Sequence, residues 1–193
     1  MENSIQTWIR SKTLERYPDT PGRGVYFCFE HLFPERLVLF NQTKRLAAWS
    51  FLIPDASVLD ALKTAAASGV EIELMIPGIK AGFFLDPVTN YYSGQLLEYG
   101  TKVYKYKGYI HAKIMIIDDE LCCIGSANMD MRSLMADDEV CGVFYENDLV
   151  QKYNHIYDGD IHNCSPYTWE EFRNRDRKER IMESVFLPFA PLM

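Results

Sequence analysis

Apolar and polar positions alternate along this chain with two different periods, and the switch between them marks the elements. LAAWSFLI (46–53) is an almost unbroken apolar run that ends at Pro54-Asp55. Such a run predicts a strand buried on both faces. DASVLDALKTAAASG (55–69) changes to the helical period. Val58, Leu59, Leu62 and Ala65 or Ala66 share one face, Asp55 or Ser57 caps the start, and Gly69 ends the helix. VEIELMIPG (70–78) returns to a strand. Strand, helix and strand in this order form a βαβ unit, which predicts a parallel sheet with helices on its faces.

Further along, GIKAGFFLDPVTN (78–90) reads as a loop and YYSGQLLEYG (91–100) as a helix stopped by Gly100. TKVYKYKG (101–108) is a short strand. AKIMIID (112–118) and LCCIGS (121–126) read as two strands of a hairpin that turns at Asp119-Glu120. EVCGVFY (139–145) is another strand, and residues 147–161 and 168–187 are helical in pattern. Upstream, GVYFCF (24–29) reads as a short strand, and PERLVLFNQTKR (34–45) opens with proline and predicts a helix. Residues 1–32 carry Pro18, Pro21, Gly22 and Gly24 and are expected to form a poorly organised arm. Residues 33–193 are expected to be the folded domain, with a helical tail. The fold class expected is α/β, a mixed β-sheet sandwiched between helices.

Composition narrows the picture. The chain has 193 residues, 48% of them hydrophobic, which suits a single domain with a substantial core. Its net charge of −7 argues against nucleic acid as a general partner. The five cysteines, Cys28, Cys122, Cys123, Cys141 and Cys164, are odd in number and lack a repeated spacing. That predicts free thiols in a reducing compartment, and no C-x-x-C pair points to zinc. The N-terminus has no apolar core of signal-peptide length, and no window approaches the ~20 apolar residues of a membrane span.

The chemistry gathers in HAKIMIIDDELCCIGSANMD (111–130). His111 and Lys113 alternate on the first hairpin strand, so both side chains are expected on the same side. Ser126 and Asn128 follow the return strand back towards the histidine. This set suits phosphoryl chemistry. A neutral imidazole can attack phosphorus and leave again through a phosphohistidine. An ammonium, an amide and a hydroxyl can hold the non-bridging oxygens and stabilise the transition state. A carboxylate on the other ring nitrogen would fix the tautomer. Neither a metal nor another cofactor is required.

The spacing His-x-Lys-x4-Asp-x6-Gly-Ser-x-Asn, met here without a gap, resembles the phospholipase D superfamily and its HKD motif. The stretches FLIPDASVLDALKTAAASGVEIELMIPG (51–78), GQLLEYGTKVYKYKGYIHAK (94–113), GSANMDMRS (125–133) and WEEFRNRDRKERIMESVFLPFAPLM (169–193) are similar to the C-terminal half of bacterial cardiolipin synthases. The resemblance implies a phospholipase D-like α/β/α layering with a single HKD half. It makes His111 a catalytic histidine, either nucleophile or general acid. It makes Lys113, Asn128 and Ser126 the phosphate-binding groups and Asp118 the acid of the motif. Glu139 stands where the superfamily has a carboxylate that supports the histidine ring. The synthases tend to have Leu-Asn-Phe-Glu there, whereas this chain has Ala136-Asp137-Asp138-Glu139. The implied activity is phosphatidyl transfer on phosphatidylglycerol, an anionic phospholipid, at a membrane surface. The implied location is the cytoplasm or the inner face of the membrane, held peripherally.

The motif occurs once. His31, His155 and His162 are not followed two residues later by lysine, and they read as ordinary loop or helix histidines. The resemblance implies an active site built from two such motifs. Two resolutions stand: a homodimer that brings two copies of His111 together, or a second HKD half from a missing N-terminal portion. Two other functions stand beside phosphatidyl transfer: a phosphodiesterase or nuclease on the same fold, and a non-catalytic half-domain that pairs with a full-length synthase. Lys102, Lys105 and Lys107 read either as a patch for anionic headgroups or as a solvated edge strand. The C-terminal IMESVFLPFAPLM reads either as a segment that dips into a bilayer or as core packing.

Overall fold

The apolar runs do assemble into a sheet between helical layers. The computed structural model describes residues 26–28, 44–78, 82–135, 137, 139–145 and 147–192. An eight-stranded sheet contains β1 (Tyr26–Cys28), β2 (Arg45–Trp49), β4 (Glu71–Pro77), β5 (Lys102–Tyr106), β6 (Ile114–Ile117), β7 (Leu121–Gly125), β9 (Cys141–Phe144) and β10 (Cys164–Tyr167). Their order across the sheet is β1-β9-β7-β6-β2-β4-β5-β10. Strands β2, β4 and β5 are parallel, and every other pairing is antiparallel. A two-stranded parallel sheet joins β3 (Leu52–Ile53) to β8 (Met129–Asp130). The helices are α1 (Ala56–Ala67), α2 (Leu85–Leu97), α3 (Met131–Met135), α4 (Asn147–Ile161), α5 (Trp169–Arg173) and α6 (Arg177–Phe186), with a 3-10 turn at Leu187–Leu192.

The period-two alternation of the central strands divides the core. Leu46 and Ala48 of β2 pack with Ile72, Leu74 and Ile76 of β4 against Val58, Leu59, Leu62 and Ala65 of α1. Ala47 and Trp49 point the other way and pack with Met75, Ile116 and Cys122 against Val150 and Tyr157 of α4. The Trp49 indole meets the Tyr157 ring edge-on at 4.6 Å and donates to Asp160 Oδ2 at 3.0 Å. One strand thus serves both helical layers, as its unbroken apolar sequence predicted. Asp55 is the cap of α1, accepting from Val58 N at 2.8 Å, and Ser57 donates to the Asp55 carboxylate at 2.7 Å. Gly69 adopts a φ of 93°, the left-handed value that ends a helix cheaply only at glycine.

Several elements depart from the sequence reading. The run 46–53 is not one strand, because Ser50 breaks it. Its hydroxyl donates to Phe51 O and accepts from Met129 N, which sends Leu52 and Ile53 to pair with β8. Residues 85–90 are helical rather than loop. Pro87 lies in the first turn of α2, where its missing N–H costs no helical bond. The turn between β6 and β7 centres on Asp118 and Asp119, with φ of 53° and 58°, not on Asp119-Glu120. The segment 168–187 is two helices, separated where Asp176 caps α6 by accepting from Glu179 N. Strand β10 was not foreseen, and by pairing with β5 it removes the edge that the lysines were read as protecting. Lys102 forms ion pairs with Glu71 and Glu73 instead. At the C-terminal tail, Phe186 and Ala190 are buried, while Ile181, Val185, Phe189 and Leu192 are exposed. The helix read at 34–45 lies outside the described residues except at Lys44 and Arg45, and Arg45 opens β2. The arm at 1–32 also lies outside them, save Tyr26–Cys28, which pairs with β9.

Gly125 ends β7 opposite Cys141, and a Cβ there would run into the Val140 carbonyl oxygen and Cys141 Sγ. Gly125→Ala is therefore expected to lower stability by about 1–3 kcal/mol, the usual cost of overpacking. Urea unfolding measures this, and an unchanged midpoint would contradict the close approach of β7 and β9.

Candidate active site

Pairing fixes which end of the sheet carries each polar group. Strand β6 runs antiparallel to β2, with Ile114 opposite Trp49 and Ile117 opposite Leu46. His111 and Lys113 lead into β6 and so lie beside the C-terminal end of β2. That is the mouth beyond the carboxyl ends of the parallel strands, where open α/β sheets place their ligands. The return strand delivers Ser126 and Asn128 to the same end, since Gly125 N donates to Lys113 O at 3.1 Å. The hairpin therefore brings His111, Lys113, Ser126 and Asn128 to one mouth of the sheet.

The His111 side chain is exposed between two aromatic rings. Phe51 meets it edge-on at 6.3 Å, and Tyr109 stacks on it at 6.1 Å with 20° between the planes. Neither ring was singled out in the sequence: Phe51 was read as part of a buried strand, and Tyr109 lies in a stretch with no periodic signal. Lys113 is partly buried, and its ammonium donates to the His111 carbonyl oxygen at 3.1 Å. Burial pushes the Lys113 pKa below the ordinary lysine value, and the nearby carboxylates of Asp130 and Glu139 raise it part of the way back. Asn128 is half-buried, and its Oδ1 is buried with no partner among the described residues. A buried acceptor left unpaired costs about 1–3 kcal/mol, so folding gains nothing from placing it there.

Ser126 and Glu139 are brought together, as the Ser126 hydroxyl donates to the Glu139 carboxylate. The same hydroxyl accepts from Val140 N at 3.0 Å. Glu139 thus faces the serine and Lys113, and no hydrogen bond links it to the His111 ring. The support of the histidine that the resemblance implied for Glu139 is absent from this geometry. Asp130 is a residue the sequence reading missed. It is buried, caps α3 by accepting from Ser133 N at 2.7 Å, and lies within electrostatic reach of Lys113. Its signal was an aspartate three residues before a serine at the start of a short helix. Beneath Gly125, hydrogen bonds from the Cys123 thiol and from backbone N–H groups hold the Cys141 thiol below the ordinary cysteine range.

Asp118 does not join the site. It occupies the turn at the far end of β6, and seven residues of extended chain from His111 span roughly 20 Å. Its Oδ1 accepts from Lys44 N at 2.6 Å and Arg45 N at 2.8 Å. The acid of the motif thus ties the hairpin turn to the start of β2, a structural task rather than a chemical one. His155 and His162 are exposed and lie apart on and just after α4, while His31 lies outside the described residues. Among the described residues no helix is long and apolar enough to cross a membrane, and no group of three or more His, Cys, Asp or Glu is placed to hold a metal ion.

Two outcomes test this geometry. Asp118→Ala loses both bonds to the backbone of β2 and places alanine at positive φ, so unfolding should become easier by about 1–3 kcal/mol. The amide signals of Lys44, Arg45 and the β6–β7 turn should shift most, and a variant as stable as the parent would contradict the structural role. Asp130→Asn keeps an oxygen for the helix cap but removes a negative charge that raises the Lys113 pKa. The Lys113 titration, followed by NMR of its side chain, should move further down, and an upward move would contradict the electrostatics.

The match to known proteins is broad. Residues 39–161 match the family model described as cardiolipin synthase, PLD-like domain. Cardiolipin synthase 1 of Bacillus anthracis is 34% identical over 147 residues, which cover 76% of this chain and 29% of that protein. Cardiolipin synthase of Geobacillus sp. (strain WCH70) is 38% identical over 144 residues, covering 74% of this chain and 29% of that protein. The chain therefore spans under a third of the length of these curated relatives. Among solved structures, Nuc of Salmonella typhimurium, a phospholipase D family member, has a TM-score of 0.65 at 14% identity, over 76% of this chain and 99% of that one. Phosphatidylserine synthase of Haemophilus influenzae has a TM-score of 0.66 at 15% identity, over 89% of this chain and 46% of that one. At such identity these two share the fold, a mixed sheet flanked by helices. Because the family match spans well over half of its residues, the chain belongs to the cardiolipin synthase, PLD-like domain family.

Proposed function

We propose that this chain supplies half of a phosphatidyl-transfer site that acts on phosphatidylglycerol at a membrane surface. The observation that carries the reading is the convergence of His111, Lys113, Ser126 and Asn128 on one mouth of the sheet, where β6 and β7 are joined by Gly125 N donating to Lys113 O. An imidazole nitrogen of His111 attacks the phosphorus of one phosphatidylglycerol. The bond from phosphorus to the glycerol oxygen breaks, and the glycerol leaves with a proton from a second histidine. The Lys113 ammonium and the Asn128 Nδ2 amide group donate to the non-bridging oxygens and stabilise their developing charge, and the Ser126 hydroxyl joins them when its proton turns from Glu139 to the phosphate. Glu139 holds the serine in place. A hydroxyl of a second phosphatidylglycerol then gives its proton to the second histidine and attacks phosphorus. His111 is freed and cardiolipin forms. Water as acceptor would give phosphatidic acid instead.

The described residues hold one such histidine, so the second comes from elsewhere. A second copy of this chain across a twofold contact, or a separate HKD half, would provide it. The roles of His111 and its counterpart, nucleophile and acid, are interchangeable in this scheme.

The test is lipid turnover by the purified full chain on phosphatidylglycerol vesicles, read as cardiolipin and phosphatidic acid, with the oligomeric state measured in parallel. Turnover should follow the paired species and be nearly absent from the monomer. His111→Ala should lower it by about three orders of magnitude or more. Unchanged turnover in that variant, or cleavage of single-stranded DNA without lipid turnover, would refute the assignment.

A further inference from the structure

A groove of about 620 Å³ is lined in part by Phe51, the neighbour of the histidine, and is not used by the chemistry described above. Phe51, whose ring touches His111, lines one end. The wall continues over the C-terminal ends of β4 and β5, through Gly78 and Lys105, and reaches α5 and α6 at Glu171 and Glu179. Of the lysines read as a headgroup patch, Lys105 alone faces this space; Lys102 is taken by Glu71 and Glu73.

Lys105 is an unusual cation. Its ammonium sits 3.6 Å from the centroid of the Tyr167 ring, and no carboxylate of the described residues forms an ion pair with it. Burial lowers its pKa, and the more distant carboxylates of Glu171, Glu179 and Asp86 raise it again. The Glu179 carboxylate and the Asn90 amide, also in the wall, make no side-chain hydrogen bond to other described residues. The groove therefore offers an ammonium held by the Tyr167 ring alone, and a carboxylate and an amide without side-chain hydrogen bonds to other described residues. Among the described residues of the wall, carboxylates outnumber cations, which opposes an anion in the interior and favours a neutral group rich in hydroxyls. At the outer lip the chemistry changes. Lys178 lines the groove at the start of α6, and the exposed Phe83 lines it near Phe186, whose ring it meets edge-on at 5.5 Å. Ile181 and Val185 continue from Lys178 along the same exposed face of α6. A polar interior with a cationic, apolar lip fits an amphiphile that enters by its hydroxyl end.

We propose that this groove is the subsite for the acceptor lipid and takes the polyol of its headgroup, with Lys105 and Glu179 orienting the hydroxyls towards His111. The phosphate of that lipid then lies towards Lys178, and its acyl chains leave over Phe83, Ile181 and Val185. This deepens the phosphatidyl-transfer reading and rests on it for the identity of the acceptor. Two lipids must meet at one phosphorus, and the groove gives the second a place separate from the phosphate-binding groups.

The probe is glycerophosphoglycerol, the acceptor without its acyl chains, titrated into the full chain and followed by backbone amide NMR. Saturable shifts are expected at Lys105, Tyr167 and Glu179. Lys105→Met and Glu179→Gln should each weaken binding about tenfold, as loss of a charged hydrogen bond does. Dipropyl phosphate, which carries no hydroxyls at either end, should bind about tenfold more weakly. Glu179 is exposed on a helix, so its variant keeps the fold even if the Lys105 variant does not. Shifts confined to Lys113, Ser126 and Asn128, equal affinity for the two probes, or full binding by Glu179→Gln would overturn the proposal. The outcome is distinct from that of the transfer chemistry. Groove shifts in a chain that never turns over lipid would keep the subsite and remove its acceptor role, while turnover without groove shifts would do the reverse.

Discussion

The register of β6 between β2 and β7 is the constraint on which the site depends. Side chains alternate along a strand, so a slip of one residue would send Lys113 to the opposite face and carry His111 away from Phe51. Two sets of bonds hold the register, one at each end of the strand. At the turn, the Asp118 carboxylate takes the N–H groups of Lys44 and Arg45. At the mouth, Gly125 N bonds Lys113 O, and Ser50 ties the end of β2 to Met129. The motif is therefore two devices in one stretch of sequence. Its aspartate fixes the position of a strand, and its histidine and lysine use that position some 20 Å away.

That division explains how much of the site was legible. His111, Lys113, Ser126 and Asn128 could be grouped from spacing alone, because a hairpin of known strand lengths returns on itself. Asp118 has the same spacing signal but a different task, and only the location of the turn separates the two. Glu139 was placed by resemblance, and the structure turns it towards Ser126 rather than His111. Phe51 and Tyr109 were invisible, because ring contacts between a loop and a strand entrance leave no periodic trace.

The fold shows the same pattern. The βαβ unit was plain, since an apolar run, a capped amphipathic helix with its glycine stop, and a second apolar run agree with one another. Strand β10 was missed because Cys164–Tyr167 contains Pro166 and only one buried side chain, and its pairing with β5 is what makes it a strand. The start of α2 was missed because Pro87 reads as a breaker unless its place in the first turn is known. The single helix read over 168–187 became two because Asp176 offers a cap that outweighs continuity. Each miss lies where a local signal had two meanings and tertiary contact chose between them.

The account stands on a covalent bond between His111 and phosphorus. The most direct measurement is to mix the chain with phosphatidylglycerol under conditions that give turnover, quench in alkali, and examine the protein by mass spectrometry and phosphorus NMR. A phosphohistidine is stable to alkali and labile to acid. The account predicts a phosphatidyl adduct, or its deacylated remnant, with the phosphoramidate signal mapped to His111. Turnover with no adduct, or with phosphorus carried by another residue, would contradict it.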